Sequence, residues 1–228
     1  MSYTKATFIS GFIEPVVSIQ KQTINDNDFN KILSSLNALM TIHENITKGN
    51  EQVAELWNEI ISDTISSVHS ASSGFYRLAI LALRSVLELA CSALYFFDHE
   101  IEYRLFQQHD LKADKYVSTL VNEHLFFTTK YIKTFYETID SEETSENSVS
   151  TFLKKIYAEL SDVVHGRYKT LTKVNGLEIK YNKQLFKFYE EKFLRTLSIV
   201  TVMYILRFND KKDKEIIELA NFSGVIRL

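Results

Sequence analysis

Two sets of residues in this chain have the types and spacing to do chemistry. The first lies in the run RLAILALRSVLELACSALYFF, where Arg77, Arg84, Glu88 and Tyr95 interrupt an otherwise apolar stretch. At about 100° per residue, positions seven apart return within about 20° after two turns, so these four share a narrow arc of a helix. The second set is Tyr157, Ser161 and His165 in IYAELSDVVHG, spaced four and four and therefore lining one face of another helix. An arginine steadies an anion such as a phosphate, and a histidine takes up and gives back a proton near neutral pH. If the two helices pack together, Arg84, Glu88, Tyr157, Ser161 and His165 form one internal polar network. Arg84 and His165 would then be a phosphoester-cleaving pair, oriented by the other three. The same five residues also suit a structural role, because a satisfied polar cluster fixes helix register. If the Arg84–Glu88 pair is buried, losing one partner is expected to cost about 3–5 kcal/mol.

Two further groupings carry weaker signals. Arg104 and His109 in RLFQQH place the same two residue types five apart on a short early segment. Lys187, Lys192 and Arg195 stand among aromatic residues in FKFYEEKFLR, a mixture that suits stacking on single-stranded RNA bases or a dimer interface. Other chemistries find no support. The six histidines form no His-x-x-x-His and no Glu-x-x-His pair, which leaves a helical di-iron site without ligands. One cysteine, Cys91, cannot build a cysteine-based zinc centre and reads as a buried core residue. The glycines are too dispersed for a phosphate-cradling loop. Neither a metal nor a cofactor is expected.

The elements that must position these residues are helices. One proline and six glycines in 228 residues leave few breaks, so the helices should be long. Apolar spacing predicts helices from about 27, over 51–68, over 71–97 as the central element, over 101–109, over 114–137, over 149–165, over 183–208 and over 211–221. Residues 1–25 read as an N-terminal arm, and the polar, acidic run DSEETSENS as a mobile loop over 139–148. Asn175-Gly176 between two β-branched runs predicts a β-hairpin over about 169–181. The expected fold is therefore an all-α bundle of about seven helices with one inserted hairpin, in a single domain spanning 1–228.

Charge is divided unevenly. Residues 1–150 carry 11 Lys/Arg against 20 Asp/Glu, and residues 151–228 carry 15 against 9. A basic third can face nucleic acid, or its cations can simply solvate two long helices. The net charge of −3 argues against a dedicated duplex-DNA binder, whose affinity comes from phosphate neutralisation. The lone cysteine, an N-terminus without a basic-then-apolar leader, and charges inside the most apolar stretch point to a cytoplasmic protein outside the membrane.

The long apolar helix RLAILALRSVLELACSALYFF, followed by a second containing YAELSDVVHGR, resembles a divergent branch of the HEPN superfamily over about residues 50–210. The resemblance implies a helical bundle that forms a homodimer. It also implies an RNA-directed role, as a metal-independent ribonuclease in a bacterial toxin or antiphage system, with RNA or a protein of the same system as partner. The family signature, an arginine four to six residues before a histidine on one helix, is missing ahead of His165, where Glu159, Leu160 and Ser161 stand. A non-catalytic homodimeric module that binds a protein partner is the alternative.

Overall fold

A computed structural model describes residues 4–48, 53–109, 117–165 and 179–228. The order of elements is α1 (Lys5–Phe8), a π-helical turn (Ile9–Ile13), α2 (Glu14–Asp26), α3 (Asn30–Thr47), α4 (Ala54–Ser72), α5 (Tyr76–Asp98) and α6 (Glu100–His109), followed by α7 (Val117–Glu123), α8 (Thr129–Ile132), α9 (Ile139–Glu142), α10 (Ser148–Val164), α11 (Lys183–Phe208) and α12 (Lys214–Asn221). The all-α expectation holds, but the described helices are more numerous and shorter than seven long ones.

Two helices form the centre. In α5 the buried side includes Ala79, Ile80, Leu83, Val86, Leu87, Ala90, Cys91 and Leu94. In α11 almost every residue from Phe193 to Leu206 is buried, as expected of a helix enclosed on all sides. Helix α4 folds back along α5, and α10 and α11 pack on its other sides; α3 and α12 cover α11. Side chains set the boundaries. Asn182 accepts hydrogen bonds from the backbone N–H of Gln184 and Leu185 to open α11, and Asp213 accepts from Ile216 N–H to open α12. Asn209 closes α11 in the left-handed region at φ 51°. The turn between α4 and α5 needs Gly74, at φ +84°. A Cβ there would stand 3.0 Å from the Lys180 carbonyl oxygen and 3.5 Å from Ile19 Cγ2.

Four expectations require correction. The β-hairpin finds no strand among the described residues. They contain only an isolated bridge between Glu143 and Ile226, and residues 179–181 of the expected second arm are non-strand; the rest of 169–181 lies outside the described residues. The Asn-Gly signal is local, and a two-stranded ribbon needs packing that such a signal does not encode. The N-terminal arm is instead helical, and Ile19 and Thr23 of α2 are buried, with the Thr23 hydroxyl donating to the Ser72 carbonyl at 3.0 Å. The single helix expected over 114–137 is broken. Leu125 and Phe127 adopt φ 54° and 51°, which turns Phe126 and Phe127 into the core, and Thr128 then caps α8. Burying two adjacent aromatics outweighs continuing a helix that would leave one of them in water. The acidic run 139–148 is pinned. Glu143 accepts from Thr129 Oγ1 and from Val149 N–H, and Arg227 N–H donates to the Glu142 carbonyl at 2.9 Å.

By length and composition α5 is the one described helix that passes as a membrane span. It is packed against α4, α10 and α11, and it carries Arg84 and Glu88 in a polar contact with α10.

Candidate polar site between the central helix and its neighbour

Seven residues separate Arg77 from Arg84, so both side chains leave α5 on the side that faces α10. Each finds a partner there. Arg84 Nη2 donates to Glu88 Oε1 at 3.0 Å and to the Tyr157 hydroxyl at 3.1 Å. That hydroxyl donates to the same Glu88 oxygen at 2.9 Å, which closes a triangle of three hydrogen bonds. The guanidinium carbon also lies over the Tyr157 ring, 5.3 Å from its centroid, where the ring face attracts a cation. One edge of the arginine is therefore held. Its other edge, Nη1, faces His165 Nε2 at 3.4 Å.

The tautomer follows from the donors. A guanidinium can only donate, so the Arg84–His165 contact is a hydrogen bond only when Nε2 of a neutral imidazole carries a lone pair. At 3.4 Å the bond is long and weak. A stronger acceptor arriving from solvent, such as a phosphate oxygen, would displace it at little cost. His165 is exposed at the end of α10, whereas the Arg84 side chain retains 16% of its accessible surface and Glu88 35%. The arrangement is half-buried: Arg84 is its most enclosed charge, Glu88 and Tyr157 reach the surface in part, and His165 is open to solvent.

Charge on this arginine is secure. Burial pulls the Arg84 pKa down, but the Tyr157 hydrogen bond and the Glu88 charge more than offset it, and the net shift is upward. Burial, with Glu88 reinforcing it against the opposing pull of Arg84, pushes the Tyr157 phenol up, so it stays a neutral hydroxyl able to donate. Cys91 is wholly buried, and burial together with Glu88 raises its thiol far above the ordinary value. It is inert core material.

Of the five residues expected to meet, the structure joins four. Ser161 stands on the same face of α10, but its buried hydroxyl has no hydrogen-bond partner among the described residues, and neither does Arg84 Nε. Tyr95, on the same arc of α5, belongs to a different cluster. Its hydroxyl meets Glu102 Oε1 at 3.1 Å and His124 Nδ1 at 3.3 Å, and its ring stacks on His99. Arg104 is exposed and paired with Glu100 on α6; His109 ends that helix, and its side chain lies outside the described residues. Among the three expected RNA contacts only Lys187 projects into solvent. Lys192 Nζ and Arg195 Nη1 both bind Glu159 Oε2, at 2.7 and 2.9 Å, and the same two cations also reach Glu191. Lys192 is 8% exposed. These two cations are already neutralised and serve to join α10 to α11.

Sequence reasoning missed the partner of Arg77. Its Nη2 donates to the Val164 carbonyl at 2.9 Å. The only available hint is the seven-residue repeat that places it above Arg84.

Among the described residues, no group of three His, Cys, Asp or Glu is arranged to hold a metal ion. In comparison with known proteins, no family model, no curated protein and no solved structure matches the chain.

Proposed function

We propose that this is an HEPN-like protein with an RNA-directed role, cleaving RNA without a metal at the Arg84–His165 pair, as the resemblance implies for a toxin or antiphage setting. The observation that carries the reading is the Arg84 side chain itself. One edge is locked by Glu88 and Tyr157, while the other is offered beside an exposed imidazole. In the reaction, His165 Nε2 removes the proton from a ribose 2′-hydroxyl, and the 2′-oxygen attacks the adjacent phosphorus. Arg84 Nη1 binds a non-bridging oxygen as charge builds there. The bond to the 5′-oxygen breaks, that oxygen takes a proton from solvent, and a 2′,3′-cyclic phosphate and a 5′-hydroxyl remain. Glu88 and Tyr157 position Arg84 and touch no substrate.

The test is incubation of a single-stranded RNA with the purified protein in EDTA. His165→Ala and Arg84→Ala are run beside it, with His109→Ala as control. Cleavage to cyclic-phosphate ends that falls at least a hundredfold in the first two variants and persists in the control supports the reading. An inert wild type, or a fully active His165→Ala, sinks it.

A second reading, the non-catalytic homodimeric module, is favoured by one observation. Leu78 and Leu81 on the central helix are 55% and 48% exposed, and Leu81 lies two turns from Glu88 on the same arc. Large apolar side chains on a central helix suit a second copy or a protein partner. Light scattering on Leu78→Lys/Leu81→Lys against wild type decides it. An unchanged mass that is already monomeric removes the homodimer.

A further inference from the structure

The Arg84–His165 pair works only if His165 is held still, and His165 stands at the end of α10, where helices fray. The peptide plane immediately before it holds the His165 Cα, the point from which the imidazole hangs. That plane has two polar ends. The N–H belongs to His165 and donates to the Ser161 carbonyl at 2.8 Å, as the last bond of the helix. The C=O belongs to Val164, the last residue of α10, and is one of the carbonyls that a helix C-terminus leaves without an intrahelical partner. Arg77 Nη2 fills that vacancy at 2.9 Å. The two hydrogen bonds grip opposite ends of one peptide unit.

The grip comes from the helix that carries Arg84. Arg77 and Arg84 are two turns apart, about 10 Å along the α5 axis. Through Arg84 the helix α5 binds the middle of α10 at Tyr157, and through Arg77 it binds the final carbonyl. A shift of α10 along α5 that moved His165 away from Arg84 would break the Arg77 bond as well. Arg77 is exposed, so its charge loses little hydration in making this contact. A planar donor fork reaching a helix-end carbonyl also places positive charge where the helix macrodipole favours it.

We infer that Arg77 is a positioning residue for His165, fixing the peptide plane from which the imidazole is aimed at Arg84. The inference rests on the reading of Arg84 and His165 as a reacting pair. It adds that the register of the pair is set by a third cation that does not itself meet substrate.

Two measurements on Arg77→Ala and Arg77→Lys test it in the full chain. Amide hydrogen exchange of His165 reports the peptide plane whether or not RNA is cleaved. Arg77→Ala should accelerate it at least tenfold while the amides of Ile156 and Leu160 keep their protection, and Arg77→Lys, which can still donate to the carbonyl, should restore most of the protection. With single-stranded RNA, kcat should fall ten- to a hundredfold in Arg77→Ala at nearly unchanged KM and recover in Arg77→Lys, because a displacement of about 1 Å costs on that order. Unchanged exchange at His165 in Arg77→Ala overturns the inference. So does a loss of kcat that lysine fails to restore, or one that appears only as a rise in KM. If the wild type cleaves nothing, the cleavage reading fails while the exchange result still decides whether Arg77 holds His165.

Discussion

The Arg84–Glu88–Tyr157 triangle predicts an order of stabilities that runs against first intuition. In a fully buried ion pair, loss of either partner strands the other at about 3–5 kcal/mol. Here the partners differ: the Glu88 side chain is 35% exposed and Arg84 only 16%. Removing Arg84 leaves a carboxylate that reaches water and still accepts the Tyr157 hydroxyl at 2.9 Å. Arg84→Met, which keeps the aliphatic stem packed, should therefore cost only about 1–1.5 kcal/mol, the low end for a charge-assisted hydrogen bond because water takes the place of the lost donor. Removing Glu88 leaves the more buried guanidinium without its counter-charge, with Nε already lacking a partner among the described residues. Glu88→Ala should cost about 2–3 kcal/mol, between a charged hydrogen bond and a stranded buried charge. At about 3 °C per kcal/mol for a chain of this length, melting temperatures should fall by about 3–5 °C and about 6–9 °C respectively. Urea unfolding with unchanged m-values is the assay, since altered m-values would signal a change in compactness. If Arg84→Met is as costly as Glu88→Ala, or costlier, Glu88 is the stranded charge and the geometry argued for the site is wrong.

Two further predictions concern the scaffold. Burial raises the Glu159 carboxyl, but the hydrogen bond and charge of Lys192 and the charge of Arg195 overcome it, and its pKa lies below the ordinary 4.5. A depressed folded-state value means stability that is fully present above about pH 4.5 and lost as pH falls through the lower, folded pKa, so Glu159→Gln should flatten the acid limb of a stability–pH curve measured from pH 7 to 2. An unaltered acid limb in that variant would remove Glu159 as a contributor. Gly74→Ala should destabilise by about 2–3 kcal/mol, combining a left-handed backbone with a 3.0 Å approach to the Lys180 carbonyl. Gly224→Ala, at φ +70° but with nothing within 4 Å of the added carbon, should cost only about 1 kcal/mol. Equal costs, measured by urea unfolding, would show that the contact at Gly74 relaxes freely.

Helical periodicity carried most of what was legible from the residues alone. It placed Arg84 and Glu88 on one arc and Tyr157 and His165 on one face, because a helix repeats its side-chain directions whatever surrounds it. That these two faces meet is a fact of packing, and the wheel positions only made it plausible. Scarcity of proline and glycine likewise announced an all-α chain, but not where helices stop. The turn at Leu125 and Phe127 depends on which aromatics the core receives, a choice settled by neighbours far away in the chain.

The rest belonged to tertiary structure, for a common physical reason. Lys192 and Arg195 look like free cations beside aromatics until Glu159, on another helix, binds both and Glu191 supplies the second negative charge. The acidic run 139–148 looks solvated until the Thr129 hydroxyl and the backbone at Val225 and Arg227 bind it. Ser161 has the right spacing and still remains unpaired among the described residues. Arg77 acquires its meaning only from a backbone carbonyl, a group every residue possesses and no sequence pattern distinguishes. Local spacing determines which way a side chain points. What it meets is decided by elements distant in sequence, and the electrostatics of charged and polar groups depends on that meeting.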